Sequence, residues 1–439
     1  MIRAIGRWSL VALTINSVIG SGIFRLPADV AGLTGTVSPA VVLIAGAATG
    51  IVMACFAELA SYFRDAGGPY LYVREAFGRF MGLEIGWLLW LAQLSACAAN
   101  ANLFVIYLAQ FWWQASHPVS RSLVLTVLIG LLALVNYCGV RGGTRLSNIF
   151  TLAKLLPLIL LIVTGIVYVL MNQQTAGVNQ VQPGSDAWLR AILLMFFAYG
   201  GFETALVPMS EAKNPERDTV FALFVSVAVI AVMYTLVQWI VVRILPDPLL
   251  SRRPLAEVAS VTLGSGGAML VGLGALVSCY GYLSAKALSV PRITLALAEE
   301  GDFPKIFGII HPRFHTPYFS IVVFAILTWL LALLGNFSWN VTLSAVARLF
   351  YYAAGCAALP MLRKKRPGQA RFHLPGGVTI AFIGIAVCMI LVSRVDMSKS
   401  LILVAALMAA LLNWLWVRHR TKTTLNAENQ KLVRPTSSM

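Results

Sequence analysis

Long apolar runs separated by short polar connections divide most of the chain. The hydrocarbon core of a bilayer is about 30 Å thick, so a helix needs about 20 apolar residues to cross it. Membrane β-barrels instead show alternating apolar and polar residues, which these runs lack. The pattern therefore predicts an all-α integral membrane protein with twelve spanning helices. The predicted spans are 9–32, 37–63, 82–114, 120–139, 148–171, 187–210, 218–245, 267–290, 318–335, 339–362, 376–395 and 399–418.

Composition supports lipid as the solvent of this chain. Hydrophobic residues make up 59% of the sequence and charged residues only 11%, whereas soluble domains carry about 25% charged residues. The net charge of +16 would suggest a nucleic-acid partner in a soluble protein. Here the Lys and Arg residues lie mainly in loops on one side, so we expect a bilayer and no nucleic acid. The six cysteines lie in or beside apolar runs without a CxxC pair, which indicates buried thiols.

The orientation follows from the distribution of Lys and Arg. With the N-terminus inside, the inner segments hold 22 of these residues and the outer segments hold 8. We therefore expect a multi-pass protein of the cell membrane with both termini cytoplasmic. Residues 1–8 form a short N-terminal segment, and no small-residue cleavage site follows a short apolar region. The polar residues 419–439 form a cytoplasmic tail.

The first and sixth predicted spans are interrupted in their middles. The interruptions fall at Asn16–Gly22 and at Ala198–Phe202, five spans apart. Paired glycine-interrupted segments at corresponding positions of two halves are a sequence indication of a transporter's midplane site. We expect a five-plus-five inverted repeat with discontinuous first and sixth helices and two extra C-terminal helices. The predicted units are 9–171 for the first repeat, 187–335 with a tenth helix to 362 for the second, and 376–418 for the extra helices.

The residues at these interruptions suit a zwitterion. Gly20, Ser21 and Gly22 lack bulk and lower helix stability, so the backbone can unwind there. Unwinding exposes N–H groups that favour an anion such as a carboxylate, together with carbonyls that suit an ammonium group. Gly200 and Gly201 offer the same kinds of group from the other side. The alternative is close helix packing through small residues of the GxxxG type.

Ionisable residues within membrane spans are energetically costly and mark function by default. Lys154 either snorkels to the cytoplasmic surface or acts as a fixed cation or proton carrier. Lys286 lies deep in its span, where snorkelling is a weaker explanation than for Lys154. Glu203 follows the second interruption, and we expect it to pair with Lys286 because an unpaired buried charge is unfavourable.

Arg348 and two aromatic residues complete the set of candidates. Arg348 is interpreted as structural, with Tyr351 and Tyr352 at helical spacing as acceptors of its hydrogen bonds. Phe197 and Tyr199 in the sixth span are candidate pocket aromatics. The alternative for both is aromatic packing between helices.

The sequence lacks the motifs of other functional classes. The chain has no Walker motif, no nucleophile elbow and no His–Glu metal pair, and its five histidines are scattered in loops and the tail. We therefore expect neither an enzyme nor an ATP-driven pump, and no cofactor or metal. The sequence leaves the oligomeric state open, with a homodimer among the alternatives.

Several segments resemble the amino acid–polyamine–organocation (APC) superfamily of carriers, over residues 5–420. The stretch Ala66–Tyr70 with Tyr72–Gly78 is the most specific match. The similar segments are Gly20–Pro27, Ala66–Tyr70, Tyr72–Gly78, Phe196–Glu203, Lys213–Pro215, Pro291–Arg292, Gly301–Pro304 and Phe372–Gly377.

The resemblance implies a five-plus-five fold with alternating access and a set of site residues. In similar carriers the substrate carboxylate meets the backbone at positions matching Ser21 and Gly22. The resemblance places the substrate amine near carbonyls at Val18 or Ile19, Phe197 and Gly200. Lys154 looks like a fifth-helix lysine that, in some relatives, stands where sodium binds in sodium-coupled cousins.

The resemblance also implies roles for residues around the second interruption. Phe197 matches a gate aromatic, and Glu203 matches a coupling or pH-sensing group. Lys286 departs from the family, in which many members carry a neutral or aromatic residue near that point. A cation there disfavours cationic substrates unless Glu203 neutralises it, and it could instead favour an acidic or polar side chain.

The leading hypothesis is a secondary carrier of amino acids, either an exchanger or a proton symporter, that does not use sodium. A non-transporting amino-acid sensor is one alternative, although the loops are short and leave no room for an output domain. A carrier of amines or polyamines is the other, although such substrates do not need a carboxylate site.

Overall fold

The computed structural model describes residues 6–63, 68–139, 144–172, 184–206, 215–394 and 401–415. Side chains are described within these ranges except at 144–151, 204–205 and 215–216. All regular structure in the described ranges is helical and none of it is strand, which confirms the all-α class. The similarity segments at Ala66–Gly67 and Lys213–Asn214 lie outside the described residues, as do residues 1–5 and the tail 419–439.

Each predicted span coincides with one α-helix or with a broken pair of helices. Within the described ranges, seven stretches are long and apolar enough to cross a membrane, and three further apolar helices are shorter. The inverted repeat itself stays a prediction. The helices are α1 (Arg7–Val18), α2 (Gly22–Thr34), α3 (Ser38–Ser61), α4 (Gly68–Phe77), α5 (Arg79–Leu108), α6 (Pro118–Tyr137), α7 (Thr144–Met171), α8 (Ser185–Tyr199), α9 (Phe202–Ala205), α10 (Pro215–Ile244), α11 (Pro254–Glu299), α12 (Tyr318–Leu334), α13 (Phe337–Lys365), α14 (Gly377–Val392) and α15 (Leu401–Leu415).

Two segments that hydropathy marks only as polar connections are helical. The first is α4, in which Tyr70, Tyr72 and Val73 are buried. The second is the beginning of α11, which starts at Pro254 and contains one non-helical residue, Gly264, with φ +72°. Proline suits the first turn of a helix, and glycine tolerates positive φ. Hydropathy detects the bilayer core rather than helix as such, so it misses helices that lie at its edges.

Helix α5 lies at the centre of the bundle, and α6 lies at its edge. In the most apolar window of α5, 83% of residues are buried, against 22% for α6. The stretch Ser95–Ala101 of α5 contains only small or amide side chains and is buried throughout, and small residues let neighbouring helices approach closely. Leu123, Leu131 and Leu134 of α6 are exposed, as expected of a surface that faces lipid.

Candidate functional site

The first predicted interruption is a true break between two helices. Helix α1 ends at Val18, Ile19 has extended dihedral angles (φ −70°, ψ 99°), and α2 begins at Gly22. A Cβ atom on Gly20 would lie 3.1 Å from the Tyr282 ring, and one on Gly22 would lie 2.9 Å from Cβ of Ala198. The small residues therefore allow close helix packing as well as unwinding of the backbone, and the two interpretations do not exclude each other.

The second break needs a conformation that favours glycine. Helix α8 ends at Tyr199, Gly200 is extended, and Gly201 has φ +115° before α9 begins. A Cβ atom on Gly201 would overlap the carbonyl oxygen of Ser17 in α1. Because Gly22 also lies against Ala198, each break packs on the helix that carries the other.

Lys154 of α7 binds the first break. Its Nζ donates hydrogen bonds to the carbonyl oxygens of Asn16, at 2.7 Å, and Ile19, at 2.6 Å. Its side chain is 1% exposed, so it does not snorkel to the surface. The ammonium group satisfies carbonyls that the unwound backbone leaves without helical partners.

Part of the first break already has partners within the protein. The amide of Ser21 donates to Oδ1 of Asn100 at 3.1 Å, and the Ile19 carbonyl is bound to Lys154. Oγ of Ser21 is buried and has no hydrogen-bond partner among the described residues. Sequence reasoning missed Asn100, although an amide within a run of small apolar residues was a signal that could have found it.

Glu203 is the centre of a buried polar cluster. Its Oε1 accepts from the Tyr351 hydroxyl at 2.8 Å and from Nε2 of Gln93 at 3.4 Å, and its Oε2 accepts from the Tyr352 hydroxyl at 3.1 Å. Oε2 also accepts from the backbone N–H of Gly201 at 3.0 Å. A carboxylate has about four acceptor positions, and neighbouring donors fill those of Glu203.

Glu203 forms an ion pair with Arg348, and Lys286, the partner expected from the sequence, also acts on this carboxylate electrostatically. Nη1 of Arg348 lies 3.3 Å from Oε1 of Glu203, and both side chains are 1% exposed. Arg348 lies beside Glu203 together with both tyrosines because positions 348, 351 and 352 share one face of α13. That face carries the arginine and both tyrosines to the same carboxylate, so the tyrosine hydroxyls donate to Glu203.

Arg348 also lies directly on the second break. Its guanidinium carbon is 5.9 Å from the centre of the Phe197 ring, and a Cβ atom on Gly200 would overlap its Nη1. Its Nε donates to Oγ of Ser344 at 3.4 Å. The guanidinium group thus contacts two predicted site residues, and the structural interpretation of Arg348 stays a prediction.

Lys286 approaches the first break through an aromatic ring. Its Nζ lies 5.2 Å from the centre of the Tyr282 ring, a distance at which a cation is attracted to the ring face. The same ring is the neighbour of Gly20. Lys286 is 3% exposed, so its charge lies inside the protein beside the breaks.

Phe197 and Tyr199 point to different neighbours. Phe197 faces Arg348. The Tyr199 hydroxyl donates to the carbonyl of Val42 in α3 at 3.0 Å, and its ring packs on Tyr234 of α10 at 5.2 Å. Residues two positions apart in a helix do not share a face. Substrate contact by Tyr199 stays a prediction that these contacts do not support.

Two family-like segments meet at the end of α11 in a network that sequence reasoning did not foresee. Asp302 is fully buried and accepts hydrogen bonds from Tyr70 of α4 and Arg79 of α5. Arg74 bonds to Glu300 at 2.8 Å. Burial, with the hydrogen bond to Asp302, raises the pKa of Tyr70 above its usual value, so this hydroxyl stays a donor. The motifs therefore tie α4 and α5 to the loop after α11.

The geometry defines a class of protein. Two interrupted helices meet inside a helical membrane bundle, where backbone groups and buried charges face one another. The described residues contain no group of three or more His, Cys, Asp or Glu placed to hold a metal ion. Discontinuous helices with such a polar centre are typical of secondary carriers.

The chain belongs to the amino acid permease family, whose model matches residues 5–425. It is 26% identical to the serine/threonine exchanger SteT of Bacillus subtilis, covering 84% of this chain and 86% of that protein. It is 28% identical to the human large neutral amino acids transporter small subunit 2, covering 84% of this chain and 71% of that protein. An uncharacterized transporter of Mycobacterium tuberculosis is 28% identical, covering 90% and 87%.

Proposed function

We propose that this protein is a secondary active transporter of amino acids that works by alternating access as a sodium-independent exchanger in the cell membrane. The observation that carries the proposal is the contact between two helix breaks, with Lys154 bound to the carbonyls of the first. Exchange is favoured by the name of the Bacillus subtilis relative. Proton symport is the alternative mechanism, and both termini are expected on the cytoplasmic side.

Sodium independence rests on the position of the Lys154 ammonium. Backbone carbonyls are the usual ligands of alkali cations in broken-helix carriers, and here two such carbonyls accept from a fixed cation 2.6 and 2.7 Å away. A second cation on the same oxygens would meet like-charge repulsion in a site of low dielectric constant. The lysine thus supplies the positive charge that a sodium ion would otherwise bring.

The hydrogen bonds at the first break narrow the positions that we propose for the substrate. Because the Ser21 amide is bonded to Asn100, we place the substrate carboxylate on the backbone of Gly22 and on the unpartnered hydroxyl of Ser21. Its ammonium group is placed at the carbonyls of Val18 and Gly200. The N-terminus of α2 favours the anionic end through its dipole.

A carboxylate-free amine is a poorer fit than an amino acid. An amine or polyamine would need a free anionic group, but the Glu203 oxygens accept from four hydrogen-bond donors and pair with Arg348. The α2 N-terminus would also lack its anionic ligand. The names of the relatives, which refer to amino acids, support the same choice.

Counterflow in proteoliposomes tests the function. Vesicles loaded with a mixture of unlabelled amino acids should accumulate labelled amino acid, and the rate should be the same in sodium and in choline buffer. Strict dependence on sodium would refute the lysine argument. A change in internal pH that accompanies net uptake into empty vesicles would replace exchange with proton symport.

A purified protein that binds amino acids, shown by a raised melting temperature, but exchanges none of them would be a sensor. The matched decarboxylated amines serve as controls in the same assay. Competition by those amines that equals competition by the amino acids would favour an amine carrier.

A further inference from the structure

We infer that the substrate is an acidic amino acid whose side-chain carboxylate lies between Arg348 and Lys286, an inference that rests on the proposed transport function. The α-carboxylate and the ammonium group keep the places proposed for them at the two breaks. The substrate class is thus an L-amino acid with a second carboxylate, such as glutamate or aspartate.

The first argument is the balance of buried charge. Around the breaks, the described acidic and basic side chains that are buried are Lys154, Lys286, Arg348 and Glu203. Arg348 and Lys286 both act electrostatically on Glu203, so with each group ionised two cations share one carboxylate, and Lys154 adds a third cation at the first break. Buried charges are energetically unfavourable without compensation. A zwitterion of zero net charge leaves the excess as it is, whereas an acidic amino acid brings one further negative charge.

The second argument is the position of the cations relative to both breaks. Arg348 contacts Gly200 and Phe197 at the second break, and Lys286 lies on the Tyr282 ring that adjoins Gly20 at the first. Tyr282 and Lys286 are four residues apart and share a face of α11. Two elements, α11 and α13, therefore each supply one cation to the same centre.

The third argument is that Arg348 has donor capacity left. Nη1 of Arg348 is buried, contacts the Gly200 backbone and makes no hydrogen bond among the described residues, although Glu203 lies 3.3 Å away. A buried donor without an acceptor is energetically unfavourable. A substrate carboxylate would accept from it, and arginine binds carboxylates through two parallel hydrogen bonds.

The same geometry argues against a basic substrate. Glu203 is the buried acid of this centre, and its oxygens are already occupied by Tyr351, Tyr352, Gln93 and the Gly201 amide. The guanidinium or ammonium side chain of a basic substrate would lie beside these cations and would have no free carboxylate to pair with. Electrostatic repulsion at this depth would exclude it.

Counterflow with charge-matched pairs tests the inference. L-Glutamate and L-aspartate should compete for exchange at least about tenfold better than L-glutamine and L-asparagine, which have nearly the same shape, and L-arginine should not compete. Exchange of neutral amino acids without competition by either acid would overturn the inference and leave the transport function standing. Absence of exchange with every amino acid would instead overturn the proposed function.

Variants of Lys286 locate the selectivity. In Lys286→Met the preference for the acid over its amide should fall at least about tenfold, and in Lys286→Arg it should be retained because the charge is retained. Lys364→Met, which removes an exposed lysine of α13, is the control and should leave the preference unchanged. An unchanged preference in folded Lys286→Met would contradict the assignment. If Lys286→Met does not fold, loss of the preference in Lys286→Arg would contradict it.

Discussion

Both helix breaks interrupt the backbone inside a membrane bundle, but different groups stabilise them. At the first break a lysine and an asparagine from neighbouring helices bind the backbone directly. At the second break a left-handed glycine redirects the chain, and an ion pair surrounded by tyrosines lies beside it. The first break is therefore held by side chains that bond only to its backbone, whereas at the second break Glu203 of the ion pair accepts from the Gly201 amide and is itself held by other side chains.

This difference predicts that the second break is the more sensitive to mutation. Removing one member of a buried ion pair leaves an uncompensated charge, whereas removing a hydrogen bond to the backbone leaves a neutral group.

Glu203→Gln should have the largest effect on stability. It leaves Arg348 as a buried cation without its counter-charge, and breaking a buried pair costs about 3–5 kcal/mol. Thermal unfolding of the purified protein in detergent measures the loss. Glu300→Gln is the control, because Glu300 pairs with Arg74 while 55% exposed and such a pair contributes about 0–1 kcal/mol. Equal melting temperatures for the two variants would contradict the importance of the buried pair.

Gly201→Ala should destabilise the protein more than Gly20→Ala. Gly201 has φ +115° and no space for a Cβ atom beside Ser17, so the cost combines about 1–2 kcal/mol of backbone strain with a steric clash. A Cβ atom on Gly20 meets the edge of the Tyr282 ring at 3.1 Å and Oδ1 of Asn100 at 3.4 Å, which small side-chain movements can relieve. Melting temperatures in the reverse order would show that the left-handed turn is dispensable.

Lys154→Met should slow exchange more than it weakens substrate binding. The variant removes two charge-assisted hydrogen bonds at the end of α1 and so loosens the break that has to rearrange during transport. Exchange rates should fall about tenfold or more, while the substrate dissociation constant changes less. Lys305→Met, at an exposed position, is the control. A purely binding defect in Lys154→Met would place the lysine in substrate recognition.

Ser21→Ala should have the smallest effect on stability. Its hydroxyl is buried without a partner among the described residues, so its removal leaves stability unchanged or raises it by about 1 kcal/mol. Substrate affinity should fall several-fold if the hydroxyl binds the carboxylate. Ser17→Ala is the control, because the Ser17 hydroxyl already donates to the carbonyl of Thr14 at 2.8 Å. An unchanged affinity in Ser21→Ala would confine the carboxylate to the backbone of Gly22.

Apolar runs were enough to predict the helical class and the placement of most helices. Long continuous hydrophobic segments cross lipid as helices, because a helix forms the hydrogen bonds of every backbone polar group within the segment itself. Both breaks were also predictable, since glycine pairs stand out in otherwise apolar segments. Helix α4 and the beginning of α11 were not, because they lie where hydropathy falls, and neither was the network around Asp302.

By itself the sequence determined that this chain folds as a helical membrane bundle, interrupted at Gly20–Gly22 and Gly200–Gly201, with rare charges inside it. Only the tertiary structure decided how those charges pair. Lys154 donates to the carbonyls of Asn16 and Ile19, and Glu203 pairs with Arg348, which lies 145 positions further along the chain. Periodicity and hydropathy report on contacts within one helix, whereas an ion pair depends on which helices become neighbours, and that is set by packing of the whole bundle.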